Sequence, residues 1–265
     1  MNEFGDVARD GAVTNTLNIR SVGFALIKGT RHLLQAEPEF DDIGPIGDRR
    51  YCLVDVERRR VLKTVQNPTL VAVVAREHGD LLEIVIPGGE TVSAVPETSA
   101  ETLTCNYWGR HVELALVGGP HAALLSSWLG RPVRLALAPR GAVVYGAPVS
   151  IVTTASLAEL GDRCGRADLV TESSRFRSTF VAETDTPYVE ESWRGRELNV
   201  GGIRVRIGAP IPRCAVIDLD PVTGRRNGRM LKTLASYRRT NDAGEPFFGV
   251  YAHVVRTAEG TIPSS

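Results

Sequence analysis

The stretch LVAVVAREHGDLLEIVI, residues 70–86, decides the fold class. It contains two short apolar runs rich in β-branched side chains, separated by Gly79 and Asp80. Similar runs occupy residues 17–27, 51–55 and 111–117, and Gly, Pro and Asp separate them. Runs of this length at close spacing are typical of antiparallel barrels and sandwiches. The sequence therefore predicts a mainly β protein.

The composition excludes several classes of protein. Of the 265 residues, 43% are hydrophobic and 23% are charged, which are ordinary globular values and exclude disorder. Thirty-one basic residues balance thirty-one acidic ones, so no net field attracts nucleic acid or an anionic membrane. No apolar run approaches the roughly 20 residues of a membrane span, and residues 1–10 lack the pattern of a secretory signal. We expect a cytoplasmic protein whose substrate is a small molecule.

A break at residues 118–120, Gly-Gly-Pro, suggests a division of the chain into two units, 1–118 and 119–265. After it, the spacing of apolar residues predicts a short helix over 121–129, and further strand-like runs include 149–153 and 215–219. Ser156 and Glu159 have the spacing of a capping box, which makes Ser156 a candidate helix cap. Unpaired amides at such a helix start are a natural seat for phosphate.

Cysteine and histidine spacing disfavours a zinc enzyme. The four cysteines, Cys52, Cys105, Cys164 and Cys214, lie at least fifty residues apart, and the five histidines form no HxxxH or HExxH motif. The chain also has no cysteine run for an iron–sulfur cluster and no GxGxxG fingerprint for a dinucleotide.

Three groups of motifs together carry a family resemblance. The first group is IGDRRYCLVD at 46–55 with NPTL at 67–70, and the second is TTASL at 153–157 with RFR at 175–177. The third is PRC at 212–214, DPVTG at 220–224, LKTLASYR at 231–238 and FGVYA at 248–252. In this order and spacing the chain resembles MOSC proteins, named for the molybdenum cofactor sulfurase C-terminal domain. The resemblance implies an N-terminal β-barrel domain over 1–118, followed by a MOSC β-barrel domain with a few short helices over 119–265.

The resemblance also implies a molybdenum cofactor (molybdopterin), with Cys214 as the protein ligand to the metal. A soft thiolate suits that metal, and the charge of neighbouring Arg213 would favour the thiolate form. Arginines and hydroxyls would bind the phosphate and the pterin of the cofactor. The matching positions are Arg49, Thr154, Ser156, Arg177, Thr179 and Arg213.

The chain departs from the family pattern at several positions. A lysine-serine pair that often follows the first strand is absent, and Lys28 and Arg31 are the nearby cations that can replace it. Thr179 stands where the family has an asparagine, and Asp218 replaces a threonine. Asp218 is a candidate general acid or substrate anchor, with a solvent-facing position as the alternative.

Three functions follow from the resemblance. The first is an oxidoreductase that reduces N-hydroxylated or N-oxide substrates, as the related mitochondrial amidoxime-reducing component does, with electrons from an external reductase. The second is a sulfur transferase that carries a persulfide on Cys214 and receives sulfur from a donor protein. The third is a divergent MOSC protein that has lost the cofactor.

Overall fold

A computed structural model describes residues 16–255 and confirms the mainly β prediction. Short strands joined by turns are the main secondary structure of the described chain. The strands are β1 Thr16–Leu17, β2 Ile19–Phe24, β3 Leu33–Gln35, β4 Phe40–Asp41, β5 Gly44–Pro45, β6 Tyr51–Asp55, β7 Arg60–Val61, β8 Val74–His78, β9 Leu81–Val85, β10 Thr91–Ala94, β11 Glu97–Tyr107, β12 Arg110–Gly118, β13 Arg134–Leu137, β14 Val149–Thr153, β15 Phe180–Ala182, β16 Glu197–Val200, β17 Ile203–Pro212 and β18 Phe247–Val254.

Helices are few and short. The α-helices are α1 His121–Leu129, α2 Thr154–Cys164 and α3 Met230–Ala235, and 3₁₀ turns cover Pro68–Ala72, Ser173–Phe176, Val189–Trp193 and Ala215–Asp218. Helix α1 has the predicted bounds. None of the helices in the described range 16–255 has the length and apolar character that crossing a bilayer requires.

The first large unit is a closed barrel with the strand order β11-β12-β13-β6-β7. Strands β11 and β12 form a long antiparallel hairpin whose turn contains Trp108 and Gly109. The backbone of Trp108 is left-handed, with φ 52°, which suits the twist of a tight hairpin turn. Alternate side chains of the barrel strands, including Cys52 and Cys105, fill its apolar interior. The hairpin turn thereby places Trp108 at the end of a rigid element.

The second large unit is an eight-stranded sheet with the order β1-β16-β17-β18-β14-β15-β2-β3. Apolar side chains of its central strands form one core, and helices α2 and α3 contribute to another that covers the sheet. A separate three-stranded sheet, β10-β9-β8, contains the second apolar run of the 70–86 stretch as strand β9.

Strand pairing does not follow the predicted division at 118/119. Strand β13, which lies after that point, completes the barrel by pairing with β12 and β6. Conversely, the early strands β2 and β3 extend the sheet of the second half through the β15–β2 pair. The two units therefore exchange segments, and the division between them is not a single point in the sequence.

Two local predictions need correction. The residues at 215–219, which were expected to be a strand, form the 3₁₀ turn Ala215–Asp218. Helix α2 is capped by Thr153 rather than by Ser156, because the Thr153 side chain accepts a hydrogen bond from the Ser156 amide at 3.3 Å. Glu159, the other half of the supposed capping box, pairs with Arg163 one turn later.

Candidate functional site

A cavity of about 280 Å³ lies between the barrel and the eight-stranded sheet. The barrel side contributes Lys63 and Trp108, and the sheet side contributes Ser150 on β14 and Tyr251 on β18. Its volume is just below the roughly 300–1,000 Å³ of typical ligand pockets. The junction of the two units is thus the place where a small molecule fits.

One wall of the cavity is formed by three cations. Lys28, Arg49 and Arg177 all line it, and the only carboxylate among the lining residues is that of Glu245. Arg49 forms an ion pair with Asp48, but no hydrogen bond or ion pair to another group in residues 16–255 engages the Arg177 guanidinium. The Asp48 carboxylate offsets only part of these three positive charges. The net positive charge that remains in a partly buried site attracts an anionic ligand.

Burial and mutual repulsion perturb these cations. Burial, together with the nearby charges of Arg49 and Arg177, lowers the pKa of Lys28 to about 7. Burial and the charge of Arg49 lower the pKa of Arg177 to about 10. Arg49 and Arg177 also have left-handed backbones, with φ 48° and 53°, a conformation that costs free energy for residues other than glycine. Burial, mutual repulsion and backbone strain thus make this arrangement of cations costly, and a bound anion would offset the electrostatic part of the cost.

Cys214 lies in the same cavity, directly after the end of β17. Its side chain is exposed, whereas Cys52 and Cys105 are buried and Cys164 is partly buried. Two phenols lie close enough for its charge to act on them: burial raises the pKa of Tyr251 and of Tyr145, and a Cys214 thiolate adds to both increases. The cavity therefore contains a thiol and phenol hydroxyl groups in addition to its cationic wall.

Arg213, a predicted cofactor-binding residue, borders the cavity, but its guanidinium is engaged by groups of the protein itself. Its guanidinium donates from Nε to the Phe248 carbonyl at 2.8 Å, from Nη1 to the Phe176 carbonyl at 2.8 Å, and from Nη2 to Ser178 Oγ at 3.4 Å. Gly249 makes room for it, because a Cβ there would lie 3.1 Å from Arg213 Nη2. Burial lowers the pKa of Arg213 to about 10. The side chain thus holds the segment that presents Cys214.

Three predicted hydroxyl residues do not line the cavity. Ser156 is fully buried, donates to the carboxylate of Glu190 at 2.9 Å and accepts from the Tyr188 amide at 2.7 Å. Thr154 bonds to the backbone of Thr184. Thr179 accepts a hydrogen bond from the Ser150 amide at 3.1 Å and so helps to position Ser150, which lines the cavity.

Asp218 faces away from Cys214. Its side chain is buried and accepts a hydrogen bond from the Leu231 amide at the start of α3, at 3.0 Å. It borders a different cleft, of about 660 Å³, together with Arg226. This position does not place the carboxyl group beside a ligand of the Cys214 cavity.

The comparison with known proteins agrees with the motif pattern. The family model described as the MOSC domain matches residues 130–262, half of the chain. This chain belongs to the MOSC domain family. The match begins before β13, so the MOSC segment includes the strand that closes the barrel.

Curated relatives of this MOSC protein include two kinds of enzyme. Bovine mitochondrial amidoxime reducing component 2 is 31% identical over 114 residues, covering 40% of this chain and 32% of that protein. Human molybdenum cofactor sulfurase is 29% identical over 118 residues, covering 41% of this chain and 13% of that protein. The chain therefore matches a third or less of the length of these relatives.

A structural comparison adds little to this family assignment. A solution structure from Bordetella bronchiseptica matches with a TM-score of 0.30 and 15% identity, covering 41% of this MOSC protein and 92% of that chain. That similarity is too low to support an argument about the fold.

The sequence did not indicate several of the cavity residues, and it did not decide which cation replaces the missing lysine. Of the two cations considered as replacements for the missing lysine, Lys28 lines the cavity, whereas Arg31 donates to the carbonyls of Ala72 and Val222 elsewhere. Trp108 and Tyr145 lie in loops, where no periodic pattern marks them. The MOSC resemblance could not reveal them either, because the motifs that carry it do not include these loops.

The low pKa of Lys28 predicts a stability effect in this MOSC protein. The unfolded chain binds more protons than the folded one between pH 7 and the ordinary lysine pKa of 10.5, so the free energy of unfolding rises with pH across this window. Lys28→Met removes the buried charge and should raise Tm at pH 6, by about 2–4 °C for each kcal/mol of relieved penalty. The gain should shrink toward pH 10.

Thermal unfolding between pH 6 and pH 10 measures this effect. Lys232→Met, at an exposed lysine on α3, is the matched control and should leave the pH dependence as it is. A Lys28→Met curve parallel to that of the unaltered protein would show that Lys28 is not the buried charge that the cavity suggests.

Proposed function

We propose that this MOSC protein is a cytoplasmic oxidoreductase that uses the molybdenum cofactor to reduce N-hydroxylated or N-oxide substrates. The observation that carries the proposal is that one cavity contains the exposed Cys214 thiol and the Arg177 guanidinium, which no hydrogen bond or ion pair engages within residues 16–255. A soft thiolate is a suitable ligand for molybdenum, and guanidinium and ammonium groups suit a phosphate. The name of one relative, the amidoxime reducing component, supports the proposed reaction, and the name of the other, molybdenum cofactor sulfurase, supports only a link to the cofactor.

The residues present fit the cofactor in chemistry. Lys28, Arg49 and Arg177 would hold its phosphate, and Cys214 would be the protein ligand to the metal. Within residues 16–255, no group of three or more His, Cys, Asp and Glu side chains is placed to hold a metal ion. The remaining metal ligands would accordingly come from the cofactor itself.

The bound cofactor would supply two electrons, which an external reductase replaces. The overall reaction breaks the N–O bond of the substrate: one N–OH group, two electrons and two protons give N–H and water. Burial raises the pKa of Tyr251, so its Oη keeps its proton at neutral pH and can donate a hydrogen bond.

Metal content and turnover test the proposal together. Protein purified from a host that makes the cofactor should contain close to one molybdenum atom per chain by plasma mass spectrometry. With chemically reduced methyl viologen as electron donor, it should convert benzamidoxime to benzamidine. Protein that contains neither molybdenum nor pterin and produces no benzamidine would refute the proposal and favour a lost cofactor site.

A variant pair tests the cationic wall. Arg177→Gln should lower molybdenum occupancy several-fold, because the cofactor phosphate loses a charge-assisted hydrogen-bond donor. Arg204→Gln, at an exposed arginine near the opposite end of β17 from Cys214, is the control and should retain the metal. Equal occupancy in the two variants would remove Arg177 from the proposed phosphate site.

The exposure of Cys214 favours a second function, sulfur transfer. A thiol at the surface of a cavity can receive sulfur from a donor protein as a persulfide, whereas the buried Cys52 and Cys105 cannot be reached. Incubation with a cysteine desulfurase and cysteine should then add one sulfur atom to the Cys214 peptide, detected by mass spectrometry. An unmodified peptide would refute sulfur transfer.

A further inference from the structure

Two exposed aromatic side chains form the outer wall of the Cys214 cavity. Trp108 is 47% exposed and Tyr145 is 44% exposed, unusually high values for large aromatic residues. Their ring centroids are 5.1 Å apart with an interplanar angle of 54°, so the rings form an open wedge. Both residues line the cavity. The contact between them does not bury either ring, which leaves aromatic surface available to a ligand.

Rigid elements hold both rings. Trp108 occupies the turn of the β11–β12 hairpin, at the end of the closed barrel. Tyr145 precedes Gly146, whose backbone lies against the Tyr251 ring: a Cβ at Gly146 would lie 2.3 Å from Tyr251 Cζ. Because Tyr251 belongs to β18 and lines the same cavity, this close approach fixes the Tyr145 loop to the sheet. The positions of both rings are therefore fixed by the barrel and the sheet.

The wedge lies close to the Cys214 thiol. The charge of a Cys214 thiolate acts on the Tyr145 phenol, after the larger effects of burial and Glu245. Lys63 lies over the Trp108 ring, with Nζ 3.6 Å from its centroid, and keeps the indole oriented at the opening. The cavity thus has a cationic wall and an aromatic wall, with Cys214 among the residues that line it.

We propose that Trp108 and Tyr145 are the specificity-determining residues of this cavity and select substrates in which the N-hydroxylated group is attached to a planar aromatic ring. This inference rests on the proposed function for the reaction, but ligand binding is a separate measurement. An aromatic ring in the wedge packs against both side chains in offset or edge-to-face geometry, the arrangements that aromatic pairs prefer. An aliphatic analogue with the same polar group gains none of these contacts.

Binding of a matched pair of probes tests the inference. Benzamidoxime and acetamidoxime carry the same N-hydroxyamidine group on an aromatic ring and on a methyl group. By isothermal titration calorimetry, the purified protein should bind benzamidoxime at least about tenfold more tightly. Trp108→Ala and Tyr145→Ala should each reduce this preference several-fold, and Tyr145→Phe, which keeps the ring, should restore it. Leu34→Ala, at an apolar residue that is 64% exposed and outside the cavity, is the surface control.

The outcomes separate this inference from the proposed function. Equal affinity for the two probes, no binding of benzamidoxime, or a preference that survives both alanine variants would overturn the aromatic selection. A protein that contains molybdenum and reduces acetamidoxime as well as benzamidoxime would keep the proposed function and lose the inference. A protein that prefers benzamidoxime through Trp108 but reduces neither probe would keep the inference and lose the proposed function. Unchanged Tm in the variants shows that lost preference is not lost folding.

Discussion

Replacing Cys214 by serine is expected to lower molybdenum occupancy at least tenfold relative to the unaltered protein. A serine hydroxyl stays protonated at neutral pH and is a harder donor than a thiolate, so it is a poor substitute in a site that needs a soft ligand. Plasma mass spectrometry after gel filtration measures the retained metal. Because changes of groups that only support metal ligands already cost about 10–100-fold in affinity or activity, benzamidoxime reduction should fall by at least that factor.

Cys164→Ser is the matched control for this experiment. Cys164 lies at the end of α2, is partly buried, does not line the Cys214 cavity, and its Sγ is 3.6 Å from the Gly161 carbonyl oxygen. Its replacement should leave the metal content unchanged. Full occupancy in Cys214→Ser would show that the thiol does not bind the metal, and the proposed role of Cys214 would then be withdrawn.

Replacing Arg213 by methionine is expected to lower the free energy of unfolding by about 3–5 kcal/mol. The change leaves the carbonyl groups of Phe176 and Phe248 without their donor in a buried setting. It also removes a cation that lies 5.5 Å from the centroid of the Phe176 ring. Urea unfolding should show a lower midpoint with an unchanged slope.

Arg204→Met, on the strand that ends directly before Arg213, provides the comparison. Arg204 is more than half exposed and pairs with Glu197 at the surface, so its loss should change stability by less than about 0.5 kcal/mol. Arg213→Lys should fall between the two, because an ammonium group cannot reproduce the planar set of donors. A loss below about 1 kcal/mol in Arg213→Met would contradict the structural role of this guanidinium.

Local patterns predicted the elements that local forces determine. Helix α1 begins directly after the Gly-Gly-Pro break at 118–120, and that break together with the spacing of its apolar residues predicted its bounds. The cap of α2 was assigned to Ser156, but Thr153, three residues earlier, accepts the hydrogen bond of the Ser156 amide and is the cap. The capping-box spacing could not show that both hydroxyls donate to one distant carboxylate, that of Glu190. Ser156 is engaged by Glu190, a buried carboxyl group whose pKa is raised by burial, and nothing near Ser156 in the sequence indicates that contact.

The candidate site likewise has features that the sequence predicts and features that it does not. The family motifs contain Arg49, Arg177, Arg213 and Cys214, and the structure brings all four to one cavity. They could not show that the Arg213 guanidinium points into the protein, because a sequence motif records identity and spacing but not side-chain direction. Trp108 and Tyr145 come from the tip of a hairpin and from a loop, where side-chain exposure depends on how barrel and sheet meet.

The segment exchange between barrel and sheet has a consequence for synthesis on the ribosome. Residues 19–24 leave the exit tunnel long before Phe180–Ala182, so the β2 edge that pairs with β15 stays unpaired until that strand emerges, whereas the other edge can pair with β3 soon after synthesis. Such late, non-local pairing slows folding and leaves exposed strand edges open to aggregation. Efficient production of this protein should accordingly depend on chaperones that shield nascent chains and on slow expression at low temperature.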